Sequence, residues 1–295
     1  MKLFISLNLL AAMWGASFLF MRIATPEFGP VMLIEVRLLF ASMVLLLIWW
    51  WREPSSQKRA SLRRFREISF VGATNSAIPF VLFAYSTLYV TGGFSAILNA
   101  TAPIWGALIA WLWLKRTTST SVTIGLLCGI LGVVVLVSDS LTVEPGLRWL
   151  VLSAIAAGTF AAFLYGIAAN YSSAYLTSIS PLSLATGSIT SAAILLLPFS
   201  LFYIPEQAPS ALAWWSVIGM GVISTSFAYI LYFYLLENMG AKALIVTFLI
   251  PLYAALWGAL FIGEQVSAIM LIGGGLIFVG LGLVTGLAGS SRTAD

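Results

Sequence analysis

The stretch Gly92–Ser138, GGFSAILNATAPIWGALIAWLWLKRTTSTSVTIGLLCGILGVVVLVS, returns 148 residues later as Gly240–Gly286, GAKALIVTFLIPLYAALWGALFIGEQVSAIMLIGGGLIFVGLGLVTG. Under that shift the identities include Gly92/Gly240, Pro103/Pro251, Leu108/Leu256, Leu112/Leu260, Ser119/Ser267, Ile124/Ile272, Gly125/Gly273 and Gly132/Gly280. Leucine and glycine coincide often in apolar sequence. Paired prolines and serines do not, so the stretch reads as one unit used twice. Each copy holds two apolar runs around a short break.

Working outward from the repeat, apolar runs fall near 3–23, 31–51, 69–90, 93–114, 121–138, 149–169, 180–200, 213–236, 243–262 and 267–287. Residues are 61% hydrophobic and 8% charged. A soluble domain carries about 25% charged residues, so most of this surface faces lipid. A spanning helix takes roughly 20 apolar residues, which leaves room for about ten. A lone segment in lipid must satisfy its own backbone, so the spans are helices, and the runs are too uniformly apolar for barrel strands. The reading is an all-α membrane protein of ten transmembrane helices in two five-helix repeats, 1–140 and 147–288. Five is odd, so the second repeat enters the membrane inverted, as in many secondary transporters. The first run follows Lys2 but passes through Trp14 and Phe18 without a small-residue cleavage site, and reads as a retained helix.

With the N-terminus inside, the cytoplasmic loops hold Lys2, Arg52, Lys58, Arg59, Arg63, Arg64, Arg66, Lys115, Arg116, Lys242 and Arg292. Only Arg22, Arg37 and Arg148 fall outside. This skew places both termini in the cytoplasm of a bacterial inner membrane. The basic loop from Arg52 to Glu67 sets topology and is placed to meet anionic lipid heads. Cations in membrane-flanking loops also remove the nucleic-acid reading that a net charge of +4 would otherwise invite.

Composition excludes several chemistries. With no histidine there is no histidine base or histidine metal site. The two aspartates, Asp139 and Asp295, are too far apart in sequence to form a magnesium cluster. No GxxxxGK phosphate loop marks a pump. Cys128 is a single cysteine, so no intrachain disulfide forms. No cofactor is expected. A membrane-embedded enzyme or a channel fits less well than a carrier.

The stretch GMGVISTSFAYILYFYLLENMGAKALIVTFLIPLYAALWGALFIGE, Gly219–Glu264, resembles the second-repeat signature of EamA-type carriers of the drug/metabolite transporter superfamily. The matching positions are Thr225, Ala228, Tyr229, Tyr232, Gly240, Ala241, Pro251, Gly263 and Glu264. The first half is similar through Trp14-Gly15, Arg37 and Pro103. One departure stands out: Lys115-Arg116 occupies the place of the family's Gly-Glu after the fourth span. The resemblance implies ten helices, both termini inside, and export or exchange of amino acids and other metabolites. Among these carriers the sequence is similar to the neutral and aromatic amino-acid exporters.

Candidate site residues follow from the helix breaks. Pro103 and Pro251 fall mid-helix and free the carbonyls of Asn99 and Thr247; Pro79 does the same for Asn75. Each kink therefore carries a polar side chain, which either patches the kink or lines a wet cavity. Trp49, Trp50, Trp51, Trp111, Trp113, Trp149, Trp214 and Trp215 sit at helix ends and read as interfacial belts. Mid-span aromatics include Trp14, Trp105, Phe160, Phe163, Phe227, Tyr229, Phe248, Tyr253 and Trp257. The expected substrate-contacting set is Trp14, Asn75, Pro79, Asn99, Pro103, Trp105, Phe163, Tyr229, Thr247, Phe248, Pro251 and Tyr253. Such a wall suits a small amphiphile, and its rings can hold an ammonium.

Arg22, Glu35, Arg37 and Glu264 are the candidate structural or coupling charges. Arg37 is expected to pair with Glu27, or Glu35 with Arg22, as a clamp. With no lysine or arginine expected near the midplane, a zwitterionic or neutral metabolite is favoured over a nucleotide sugar or phosphorylated metabolite. The glycines Gly125-x3-Gly129, Gly132, Gly273 and Gly282-x3-Gly286 predict close helix packing, within a monomer or across a homodimer.

Overall fold

A computed structural model describes residues 2–115, 119–139 and 144–285, all helical or connecting, with no strand among them. Ten apolar helices follow in order: α1 (Lys2–Phe28), α2 (Pro30–Arg52), α3 (Phe65–Tyr89), α4 (Gly92–Leu112), α5 (Thr120–Asp139), α6 (Pro145–Tyr175), α7 (Pro181–Ser200), α8 (Ala211–Met239), α9 (Val246–Ile262) and α10 (Ala268–Val284). Among the described residues, eight are long and apolar enough to cross a membrane; α9 and α10 are shorter. A short basic helix, Ser55–Arg63, connects α2 to α3. Arg116, Gly286 and Arg292 lie outside the described residues.

The helix starts explain the repeated serines. Ser267 Oγ accepts from Met270 N at 3.1 Å and Ser119 Oγ from Val122 N at 3.3 Å, so each serine caps the last helix of its half. Ser180 and Ser210 cap α7 and α8 in the same way. Each of those hydroxyls is in turn held by a carboxylate from another helix end: Ser180 donates to Glu53, and Ser210 to Glu27 at 2.8 Å.

The repeated glycines explain the packing of α5 on α10. A Cβ on Gly125 would stand 2.7 Å from the Gly280 carbonyl oxygen, and one on Gly132 would stand 2.7 Å from that of Gly273. Backbone meets backbone there, which only glycine allows. The contact lies within the chain. Elsewhere the halves interlock: α1 packs against α8 and α9, while α6 packs against α3 and α4.

Three departures from regular helix shape the interior. α3 carries a π turn at Ala73–Ala77, where Ile78 N bonds the carbonyl five residues back, at Ala73. It ends just before Pro79, and Asn75 sits inside it. α8 has a π turn of its own at Val222–Phe227, with no proline. α4 breaks outright after Asn99 and resumes at Ala102, with Pro103 in its new first turn. Pro251 behaves differently: α9 runs through it as helix, after a 3-10 entry over Gly240–Ile245.

Candidate functional site

The breaks and π turns converge on one cavity of about 460 Å³. α1 supplies Trp14, Ser17, Phe18 and Met21, α2 supplies Arg37, and α3 supplies Asn75, Phe80 and Phe83. Asn99, Ala102, Pro103 and Gly106 enter from the break in α4, and Tyr165 and Ala169 from α6. Ser224, Thr225, Tyr229 and Tyr232 come from the π turn of α8 and the turns after it; Val246, Thr247 and Ile250 open α9. Both halves therefore build the wall.

A third of that wall is aromatic. Trp14 packs on Tyr232 at 5.3 Å between ring centres, Phe18 meets Phe83 edge-on at 5.8 Å, and Phe83 meets Tyr165 at 5.8 Å. Asn75 Nδ2 donates to the Tyr229 hydroxyl at 3.4 Å. Lower in the break, Thr101 Oγ1 donates to Leu98 O at 2.6 Å and accepts from Trp105 Nε1 at 3.1 Å. That holds the broken strand of backbone in place and turns Trp105 toward Phe163, 5.8 Å away edge-on.

Arg37 is the charged member of the wall. It is 4% exposed, and no carboxylate lies in ion-pair contact with it among the described residues. Its Nε donates to Thr225 Oγ1 at 3.1 Å, and its guanidinium lies 3.9 Å from the Phe80 ring centre. The π turns set both supports. The turn in α8 lets Thr225 Oγ1 donate five residues back to Met220 O at 2.8 Å, leaving its lone pairs for Arg37. The turn in α3 precedes Phe80 by three residues. Three buried polar atoms on the cavity wall have no partner among the described residues: Arg37 Nη1, Ser17 Oγ and Ser224 Oγ. Unsatisfied buried groups are rare in native structures and call for an explanation.

The EamA-like transporter family matches residues 2–138 and 152–286. The chain belongs to that family. An uncharacterized transporter of Archaeoglobus fulgidus is 23% identical over 96% of this chain and 99% of its own length. The uncharacterized transporter YoaV of Bacillus subtilis is 24% identical over 95% of each chain. A probable terminal-alkyne amino-acid exporter of Streptantibioticus cattleyicolor is 23% identical over 95% of this chain and 92% of its own. One solved crystal structure superposes on 95% of this chain and 98% of its own at TM-score 0.61 and 15% identity, which speaks for the fold. A transporter family with relatives named as transporters points away from an enzyme.

In this EamA-like chain the cavity brings together Trp14, Asn75, Asn99, Pro103, Tyr229 and Thr247 of the expected set. The others stand off it. Pro79 and Pro251 are buried in their helices. Trp105 and Phe163 face each other, Phe248 stacks on Phe278 at 5.8 Å, and Tyr253 donates to Asn8 Oδ1 at 3.1 Å. The proline offsets led to residues on the cavity wall, Asn75, Asn99 and Thr247, whereas mid-span position alone did not fix which way an aromatic faces.

The expected charge clamps do not form. Arg22 Nε pairs with Glu264 Oε1 at 3.3 Å and donates to the carbonyls of Thr87 and Leu88 at 2.6 and 3.1 Å. Glu27 caps α8 through Ser210, and Arg37 turns to Thr225. Glu35, 1% exposed, has no partner for either carboxylate oxygen among the described residues. No lysine or arginine was expected near the midplane; Arg37 nevertheless stands on the wall of this cavity. Eight residues into a helix that begins at Pro30, it sits about 10 Å down the axis, two turns in. Two signals in the sequence pointed here. Ser224-Thr225-Ser226 interrupts an apolar run, and Tyr229 and Tyr232 are three residues apart on one helix face.

Proposed function

We propose that this protein is a secondary transporter that exports or exchanges small metabolites, foremost neutral and aromatic amino acids. It does so by alternating access about the central cavity. The observation that carries the reading is the cavity itself: rich in aromatics, amide-bearing and built by both halves beside the break in α4 and the π turns of α3 and α8. Transporter binding sites lie where discontinuous helices of two repeats meet. The probable amino-acid exporter of S. cattleyicolor supports the substrate class.

The same reading takes the ten apolar helices as ten spans in two inverted halves, 1–140 and 147–288, in a bacterial inner membrane with both termini cytoplasmic. The glycine contacts support the symmetry. Gly125 faces Gly280 and Gly132 faces Gly273, and a 148-residue shift exchanges these two pairs. A contact that maps onto itself is what a two-fold axis produces. With five spans per half, that axis lies in the membrane plane.

Arg37 in the wall favours a second reading, a phosphorylated metabolite. A nucleotide sugar carries two phosphates, however, and among the described residues Arg37 is the single lysine or arginine on the wall. Counterflow decides between them. Liposomes holding the purified protein are loaded with one unlabelled amino acid, and uptake of its labelled form is followed across neutral, aromatic, acidic and basic amino acids, with a nucleotide sugar as control. Accelerated uptake of neutral or aromatic amino acids is the expected result. Silence across all of them beside a signal from the nucleotide sugar overturns the substrate class and leaves transport standing.

A further inference from the structure

We propose that Arg37 binds the substrate's carboxylate, making a free carboxylate the group this carrier requires. The inference rests on the amino-acid reading above and goes further, by naming the anchor and the chemical group it selects.

The argument begins with a buried cation that lacks its counter-charge. A buried guanidinium is stable when it is paired and its N–H groups are all satisfied. Arg37 has neither an ion pair nor a partner for Nη1 among the described residues. Its nearest acid in sequence, Glu35, is two residues away, so the two project from opposite sides of α2 and Glu35 is absent from the cavity wall. The supports on Arg37 are arranged on its other sides. Thr225 holds Nε and Phe80 lies 3.9 Å from the plane's centre. What remains is the guanidinium edge, the fork that matches a carboxylate's two oxygens.

Two hydroxyls reinforce the assignment. Ser17 Oγ, 4% exposed as a residue, and Ser224 Oγ, 1% exposed, line the same cavity without a partner among the described residues. A carboxylate offers about four lone-pair sites, enough for the guanidinium fork and hydroxyl donors together. The remaining wall suits the rest of an amino acid. Trp14, Tyr229 and Tyr232 accept an apolar side chain and an ammonium, and Asn99 offers an amide. The wall bears one cation and no Asp or Glu among the described residues, so a single negative charge is matched and a polyphosphate is not.

The test uses the full chain in liposomes and matched triads: an amino acid, its methyl ester and the amine lacking the carboxyl group, for alanine, leucine and phenylalanine. Competition against counterflow of the best amino acid is measured on wild type. The ester and the amine are expected to compete about 10- to 100-fold more weakly than the acid, the range for losing hydrogen bonds to a charged group. Arg37→Gln, checked for folding by size exclusion, is expected to bring acid and ester to similar weak competition; Arg37→Lys is expected to retain the preference in part. Should Arg37→Gln not fold, the wild-type triads still decide. An ester or amine that competes as well as its acid overturns the anchor while leaving amino-acid transport intact. Failure of every amino acid to exchange overturns the substrate reading and the anchor together. A sugar phosphate that outcompetes the acids reassigns Arg37 to phosphate and overturns the carboxylate assignment.

Discussion

The fourth helix of each half ends in the same left-handed backbone turn but with different side chains. After α9, Gly263 adopts a left-handed conformation, φ 68°, and Glu264 folds back over Gly258, where a Cβ would collide with its carboxylate. There Glu264 pairs with Arg22 of α1 and accepts from Gly92 N, the start of α4, at 3.0 and 3.1 Å. After α4, the matching backbone position is Lys115, also left-handed at φ 50°, and the matching side chain is Arg116. Where Gly258 makes room, the first half has Ala110. Glu264 thus ties the halves at one end from the tip of the fourth helix; the equivalent residue of the first half is no acid, and at the other end the halves are joined instead by Glu53, from the end of α2, on Ser180. In the proposed inverted arrangement these are opposite faces of the membrane. The halves share a backbone turn and differ in the side chains that secure it.

Glu264→Ala should therefore produce the largest effect of the changes that probe this difference. It leaves the first N–H of α4 and the Arg22 guanidinium without their acceptor; losing hydrogen bonds to a charged group costs about 1.5–3 kcal/mol. Glu264 is the buried partner, 9% exposed against 34% for Arg22, so Arg22→Ala should cost less. Thermal unfolding of the purified chain in nanodiscs, followed by tryptophan fluorescence, gives the ranking. If Glu264→Ala unfolds at the wild-type temperature, the carboxylate ties nothing and the contrast between the two ends has no energetic content.

Much of the frame was readable because lipid imposes simple rules. Backbone satisfaction forced helices, and the spacing of charges and prolines set the breaks. The repeat pairs turned out to have local causes: Ser119 and Ser267 as caps, Gly125, Gly132, Gly273 and Gly280 as a close contact. The cavity was half readable. Asn75, Asn99 and Thr247 were found from proline offsets, which are local geometry. Arg37, Tyr165 and Phe83 were not, since their place depends on which helix faces oppose one another, and that follows from packing rather than spacing. The π turn in α8 left only the Ser224-Thr225-Ser226 cluster as its trace. The charge pairs were misassigned for the same reason: Arg22 and Glu264 are remote in sequence and meet only because α1 packs on α9.

The second contrast lies at the paired prolines. Pro103 sits past an open break, whereas Pro251 lies inside continuous helix. Pro103→Ala restores an N–H within reach of Asn99 O and favours closing α4, which would carry Asn99 away from the cavity. Counterflow should fall several-fold with the fold retained. Pro251→Ala removes the ring clash and adds a hydrogen-bond donor in α9. A proline in a helix interior costs about 3 kcal/mol in a soluble host, and neighbouring helices reduce that in a membrane; a gain of about 1 kcal/mol with transport near wild type is expected. Equal effects at the two positions would mean that the break in α4 serves packing alone.

The smallest effect tests the backbone that the halves share. Left-handed conformation costs a residue with a Cβ roughly 1–2 kcal/mol, and glycine almost nothing. Lys115 bears that strain, while Gly263 occupies the equivalent turn without it. Lys115→Gly should then stabilise by up to about 1 kcal/mol, and Gly263→Ala should destabilise by a similar amount. The two changes are mirror operations on one turn, so their sum should be near zero. The charge is a separate matter, and Lys115→Ala controls for it: that variant loses the ammonium and keeps the Cβ, so it should not gain stability. A stabilised Lys115→Ala would trace the strain to the cation beside Arg116 rather than to the turn, and the backbone equivalence of the two halves would lose its support at this position.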